Sequence, residues 1–178
     1  MDTSYKFFEE TDVPEGELII SRTDFNGNIT FANELFASIS GYSVDELVGK
    51  PHSIVRHPDM PKSVFKDLWG TLKRGELWSG YVKNMRKDGG YYWVYAEVSA
   101  MQKDNQLVGY KSMRSPIDKE TKKEYQDKYD NLRKEEEKSC RIVSNISIDN
   151  FEKLRSLAKE EGIKEDKILE HILSNSLL

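Results

Sequence analysis

The sequence predicts an α+β fold, with an antiparallel sheet and short helices gathered on one of its faces. Two β-rich runs come first, several short amphipathic segments follow, and three longer runs that alternate with a period of two come last. Alternation indicates strands with one buried face, and short turns join the runs, so we expect five antiparallel strands. Such a sheet leaves a helix-lined cavity against its buried face, which is a natural site for a small ligand.

The first two strands are predicted to form a hairpin. Leu18–Ser21 and Ile29–Ala32 are β-rich, and the Asn26-Gly27-Asn28 segment between them suits a tight turn. Asn33 is then expected to cap a short helix, because its side chain can accept a hydrogen bond from a free backbone N–H. The stretch "SVDE" at 43–46 has the capping-box pattern and begins a second short helix.

A third helix and three more strands follow the loop "VRHPDMPK" at 55–62. The helix is predicted from apolar residues at helical spacing, and Gly75 ends it. These apolar residues are Val64, Phe65, Leu68, Trp69 and Leu72. The three strands are separated by hairpin-type turns at 87–90 and 104–106.

Composition excludes several classes of protein. The 27 basic and 31 acidic residues nearly balance, which argues against broad electrostatic binding of nucleic acid. No apolar run approaches the roughly 20 residues that span a bilayer, and the N-terminus lacks an apolar signal core, so the expected location is the cytoplasm. The single cysteine, Cys140, excludes an internal disulfide and a multi-cysteine metal site.

Four segments are predicted along the chain. Residues 1–17 form an arm or cap, 18–116 the α+β domain, and 117–138 a charged, solvated helical connector. A thin apolar stripe on the connector, formed by Tyr125, Tyr129 and Leu132, is enough to pair two helices. Residues 139–178 are expected to form a strand and two helices. Because that unit cannot bury its apolar faces alone, it requires a partner, most simply a second copy of itself.

Two resemblances extend this description. The string "PHSIVRHPDMPKSVFKDLWGTLKRGELWSGYVKNMRKDGGYYWV", preceded by "GYSVDELVGK", resembles the PAS sensory domains of bacterial aerotaxis receptors over about residues 18–115. That resemblance implies a PAS fold and noncovalently bound FAD. The family's membrane anchor and signalling domains have no counterpart in the sequence, so a free-standing protein that signals to a separate transducer is expected. Residues 139–178 resemble the ribbon-helix-helix family, which implies a homodimer with paired strands.

The loop at 55–62 holds Arg56, His57 and Asp59, a set that suggests chemistry. No nucleophile motif accompanies them, and with His52 they supply too few well-spaced ligands for a metal. One alternative is structural: Asp59 caps the third helix and the prolines stiffen the loop. The resemblance implies that this loop borders the flavin cavity, where Arg56 meets a phosphate or holds the loop through Asp59.

A flavin ring requires flat apolar walls and a few amide groups along its polar edge. Asn84, in a strand, is the principal amide expected at that edge, and Trp78 and Trp69 are the expected walls. Further candidates are Asn33, His52 and Tyr92. The structural alternatives are a helix cap for Asn33, a surface position for Tyr92 and a core position for the tryptophans. Haem is the rival cofactor, with His52 or His57 as its ligand.

The expected function is a cytoplasmic flavin-based sensor of redox state, oxygen or energy status in signal transduction. An enzyme is disfavoured because no dinucleotide fingerprint such as GxGxxG and no catalytic motif is present. The alternative is a redox-responsive transcription regulator, in which Arg141 and Asn145 of the strand 141–147 read DNA bases. Acidic Glu165 and Asp166 would repel phosphate there, so dimerisation without DNA binding is favoured.

Overall fold

The structure is a computed structural model that describes residues 9–104, 106–144 and 159. Within these ranges the chain forms a five-stranded sheet, and the helices that cover it lie between its second and third strands in sequence. The elements in chain order are β1 Ile19–Thr23, β2 Ile29–Ala32, α1 Glu34–Ser40, α2 Val44–Leu47, a 3-10 helix His52–Val55, α3 Lys62–Lys73, β3 Trp78–Met85, β4 Tyr91–Lys103, β5 Gln106–Ser115 and α4 Lys119–Ser144.

The sheet is antiparallel throughout, with the spatial order β2-β1-β5-β4-β3. This confirms the predicted five-stranded antiparallel sheet and the α+β class. The last strand, β5, pairs with the first, β1, so that Ser21 lies opposite Ser112. This long-range pairing places two stretches of chain far apart in sequence side by side at the centre of the sheet.

The short helices begin where the sequence places their caps. Asn33 Oδ1 accepts a hydrogen bond from the N–H of Phe36 at 3.0 Å, which starts α1. Ser43 and Glu46 form the predicted capping box of α2. These helices and α3 cover the inner face of the sheet, where fully buried Ile19, Phe36 and Tyr92 contribute to one apolar core.

The apolar stripe of α4 packs on the sheet of its own domain, which corrects the prediction that it pairs with another helix. The Tyr129 hydroxyl donates to the Tyr81 carbonyl oxygen at 2.7 Å, and the Tyr125 and Tyr81 rings lie 4.0 Å apart. Tyr129 also stacks on Trp93. Because Tyr81 and Trp93 point outward from β3 and β4, the sheet has a second apolar surface, and the helix covers it.

The chain divides into two compact units, residues 1–132 and 133–178. The strand predicted at 141–147 is wrong for residues 141–144, where helix α4 continues to Ser144. No glycine or proline interrupts 119–144, and adding residues to an existing helix is far easier than nucleating a new element. The rest of the predicted strand and the two predicted helices after it lie outside the described residues, apart from helical Lys159.

The described part of the predicted N-terminal arm runs beside β4. The Thr11 N–H donates to the Tyr91 carbonyl oxygen at 2.8 Å, and Val13 is buried in the core. Among the described residues, no helix has the length and apolar character needed to cross a membrane.

Candidate functional site

A cavity of about 170 Å³ lies between the inner face of the sheet and helix α3. Helix α3 turns one face toward it, and the inward-facing positions of β3 and β4 supply the opposite wall. The apolar part of the lining consists of Phe65, Leu68, Trp69, Leu72, Trp78, Val82, Ala96 and Val98. Aromatic and aliphatic walls of this kind suit a flat ring system.

Strand alternation explains why β3 presents both tryptophan and asparagine to the cavity. Trp78, Val82 and Asn84 are spaced by even numbers of residues and therefore point to the same side of the strand. The Trp78 indole N–H donates to Asp67 of α3 at 2.8 Å, which fixes the ring against the helix. Asn84 is only 5% exposed and brings a side-chain amide to an otherwise apolar wall.

Polar side chains gather where β1 and β5 adjoin. Arg114 of β5 donates through Nη2 to Ser21 Oγ at 3.0 Å and to His52 Nε2 at 2.6 Å. The Ser21 hydroxyl also lies 3.3 Å from His52 Nε2. Because a guanidinium only donates, His52 Nε2 is the acceptor and the ring proton is on Nδ1. Ser112 Oγ and Arg114 Nη1 are buried and have no hydrogen-bond partner among the described residues.

Burial lowers the pKa of both ionisable groups of this cluster, but the two groups differ in charge at neutral pH. Desolvation, together with the charge of Arg114, lowers the pKa of His52 to about 3. Burial also lowers the pKa of Arg114, to about 10. At neutral pH the imidazole is therefore neutral and the guanidinium remains charged.

Arg56 lies at the mouth of the cavity. Its backbone forms an isolated antiparallel bridge with Asn84, which ties the loop at 55–62 to β3. Its guanidinium lies 3.8 Å from the centre of the Phe65 ring, a cation–π contact that holds the side chain over α3. Five predicted site residues therefore meet at one cavity. They are Asn84, Trp78, Trp69, Arg56 and His52.

Residues 29–114 match the family model described as the PAS fold. This region forms a PAS domain. The aerotaxis receptor of Escherichia coli K12 is 48% identical over 107 residues, which are 60% of this chain and 21% of the receptor. The nitrogen fixation regulatory protein of Klebsiella pneumoniae is 30% identical over 108 residues, 60% of this chain and 22% of that protein. The chain thus spans about a fifth of the length of either relative.

Solved structures show the same fold. A light-oxygen-voltage domain studied with a flavin analogue aligns with a TM-score of 0.54 at 22% identity, covering 64% of this chain and 86% of that one. The light-state structure of the Aureochrome1 light-oxygen-voltage domain aligns with a TM-score of 0.53 at 19% identity, covering 67% and 92%. Both alignments support the same fold for this domain.

Four predicted site residues lie outside the lining of the cavity in this PAS domain. Asn33 caps α1 and also accepts from the Ile20 N–H. Tyr92 is fully buried in the core. His57 accepts the Asp59 N–H at Nδ1, and the Asp59 carboxylate accepts from Lys83 Nζ at 3.0 Å. Asp59 is also not the cap of α3, since the residue at that position is Pro61.

The residues of the polar cluster, apart from His52, were not predicted from the sequence. Ser21, Ser112 and Arg114 each stand in a β-rich run, where isolated polar residues are usually taken as solvent-facing. Their spacing is the signal that could have identified them. Tyr110, Ser112 and Arg114 are two positions apart and share one face of β5, and buried Tyr110 marks that face as the inner one.

Proposed function

We propose that this chain is a flavin-binding PAS sensor that responds to redox state, oxygen or energy status and acts in signal transduction. The observation that carries the proposal is the cavity under α3, with aromatic and aliphatic walls and a polar cluster at one end. Similarity to the aerotaxis receptor supports the same class of function.

The residues present suit a flavin ring. Trp78 and Trp69 offer flat apolar surfaces, and Asn84 offers an amide that can donate and accept along the polar edge of the ring. Ser112 Oγ is a buried polar atom at the wall that has no partner among the described residues, and a bound ring edge would satisfy it. The volume of about 170 Å³ is below the roughly 300–1,000 Å³ of sites for whole drug-sized ligands. The cavity therefore suits the ring, and the remainder of FAD would lie beyond Arg56.

Flavin supplies reversible electron transfer when it is bound, and the protein supplies binding, orientation and electrostatics. In this proposal Asn84 orients the ring edge and senses changes in its hydrogen bonding. The tryptophans and α3 exclude water from the ring. No residue of the chain is required to transform a substrate.

Haem is less well supported than FAD as the cofactor. The Nε2 atom of His52 accepts from Arg114 and adjoins the Ser21 hydroxyl, so its lone pair is already engaged. The Nδ1 atom of His57 accepts the Asp59 N–H, and His57 stands outside the cavity lining. To bind iron through these atoms, either histidine would have to give up a hydrogen bond.

The signal leaves the cavity, in this proposal, through strand β3. Asn84 points into the cavity, and its neighbour Lys83 points to the opposite face of the sheet. There the Lys83 ammonium donates to Asp59 at 3.0 Å and to Gln126 of α4 at 3.1 Å. It also lies 4.4 Å from the centre of the Tyr91 ring. One strand therefore connects the wall of the cavity with both the 55–62 loop and helix α4.

The output is a conformational change that a separate transducer protein reads in the cytoplasm. Self-association through residues 139–178 would bring two PAS domains into one assembly, so that a change in each α4 reorients them together. This part of the proposal rests on the apolar sequence pattern of residues 139–178.

The Asn84→Ala variant tests the site. Loss of the amide should weaken flavin binding by about 1–3 kcal/mol, a roughly 5- to 150-fold rise in the dissociation constant. The variant should remain folded. The matched control is Asn33→Ala, which removes the same group outside the cavity and should leave flavin affinity unchanged. Equal affinity in the wild type and in Asn84→Ala would show that the binding site has been misplaced.

A further inference from the structure

Arg114 is a buried cation at the wall of the cavity. It projects inward from β5, is 4% exposed and lines the cavity directly. Burial lowers the pKa of its guanidinium to about 10, which still leaves the group protonated at neutral pH. A full positive charge therefore stands beside whatever occupies the cavity.

In the part of the chain that the structure describes, every group that contacts this guanidinium is neutral. Ser21 and His52 accept from Nη2, and the charge lies 5.0 Å from the centre of the Phe36 ring. His52 is uncharged because desolvation lowers the pKa of the imidazole to about 3, and burial raises the pKa of the Tyr92 phenol, which keeps that group neutral as well. Within the described part of the chain, no ion pair includes Arg114, and its Nη1 has no hydrogen-bond partner.

A buried charge without a counter-charge is strongly unfavourable, and proteins normally pair such groups. The four elements around Arg114, namely β1, α1, the 3-10 helix and β4, provide hydrogen-bond acceptors and an aromatic face. The carboxylates on these elements do not face the guanidinium, because Glu34 of α1 is exposed and Glu97 of β4 points to the outer face of the sheet. A ligand that brings negative charge into the cavity would complete the pair, whereas a neutral ligand would leave the guanidinium uncompensated.

We propose that Arg114 sets the redox potential of the bound flavin by stabilising negative charge on the reduced ring. This inference rests on the proposed function. Reduction by a reduced electron donor adds two electrons and one proton, which bonds to N5, so that one negative charge remains delocalised over the N1 and O2 edge. The positive charge of Arg114 in a water-poor cavity favours that charged product over the neutral oxidised ring. The potential of the couple is thereby raised.

The test is a redox titration with dithionite, followed by absorbance, of the flavin-bound full chain and three variants. Arg114→Met should lower the midpoint potential by about 30 mV or more, which for two electrons is a tenfold or greater loss of preference for the reduced form. Arg114→Lys, which keeps the charge, should shift the potential less. The matched control is Arg22→Met on the outer face of β1, where the guanidinium lies over Phe31, and its potential should equal that of the wild type.

A second measurement on the wild type covers the case in which Arg114→Met fails to fold or to hold flavin. The measurement covers a pH range in which free FAD takes up two protons on reduction. Over this range the midpoint potential of the bound flavin should change by about 30 mV per pH unit, because the bound flavin takes up one proton for two electrons. A slope near 60 mV per pH unit, or an unchanged midpoint potential in flavin-bound Arg114→Met, would refute the role of Arg114. The proposed function would still stand. A wild type that binds no flavin would instead refute the proposed function, and the role of Arg114 with it.

Discussion

Breaking the contact between Lys83 and Asp59 should destabilise the PAS domain. The Lys83 ammonium lies 3.0 Å from the Asp59 carboxylate, and the two side chains are 10% and 33% exposed. At an effective dielectric constant of 20, the Coulomb energy at this distance is about 5.5 kcal/mol before desolvation is subtracted. Desolvation of the nearly buried ammonium removes a large part of it, so we expect a coupling free energy of about 1.5–3 kcal/mol.

A double-mutant cycle measures this coupling directly. The free energy of unfolding is determined by chemical denaturation for the wild type, Lys83→Met, Asp59→Asn and the double variant. The matched control is the Arg74 and Glu76 pair, with side chains 57% and 56% exposed, whose coupling should fall within measurement error. If the Lys83 and Asp59 pair gives a coupling no larger than the control, the contact is only a surface ion pair and the proposed connection from β3 to the 55–62 loop loses its support.

The same variants report on α4. Lys83 Nζ also donates to Gln126, so Lys83→Met removes a contact that holds the helix to the sheet. Amide hydrogen exchange in residues 119–132 should therefore become faster in Lys83→Met than in Asp59→Asn, which leaves the Gln126 contact in place. Equal exchange in the two variants would show that Tyr129 and its neighbours hold the helix without help from Lys83.

Three further predictions follow from single features of the chain. Asn33→Ala should lower the free energy of unfolding by about 1–2 kcal/mol in chemical denaturation, because the side chain caps α1 and also hydrogen-bonds to the Ile20 N–H and the Leu18 carbonyl oxygen. No measurable loss would contradict the role of Asn33 as a cap. Because the pKa of His52 is about 3 in the folded state, below its ordinary value of 6.5, the unfolded state binds the proton first. Stability should fall as pH drops from 6.5 towards 3, and less steeply in His52→Gln; parallel pH profiles would contradict this. Deleting residues 139–178 should leave a folded, flavin-binding domain with weaker self-association in sedimentation experiments, and a truncated protein that unfolds would contradict the predicted independence of that segment.

Much of the fold follows from local patterns that need no knowledge of distant residues. Asn33 and the Ser43 to Glu46 box mark helix starts through hydrogen bonds that close within three residues. The turn at 87–90 lies between β3 and β4 as predicted. Each of these features depends on a short stretch of chain, and for that reason composition and spacing are enough to find it.

The polar cluster could not be found in this way. Ser21 and Ser112 lie 91 positions apart, and only the pairing of β1 with β5 makes them neighbours. Arg114 reaches His52 because the same pairing turns β5 toward the 3-10 helix. Likewise, the stripe on α4 could be recognised, but its packing surface depends on the outward residues of two strands. Long-range register, rather than propensity, decides these contacts.

The absorption spectrum of the purified full chain is the most direct test of flavin binding. We expect a yellow protein with the visible bands of oxidised flavin, close to one FAD per chain after reconstitution, bleaching on addition of dithionite and recovery in air. We also expect that Asn84→Ala binds less flavin than Asn33→Ala under identical conditions. A Soret band would replace flavin with haem, and a colourless protein that takes up no FAD would contradict the account.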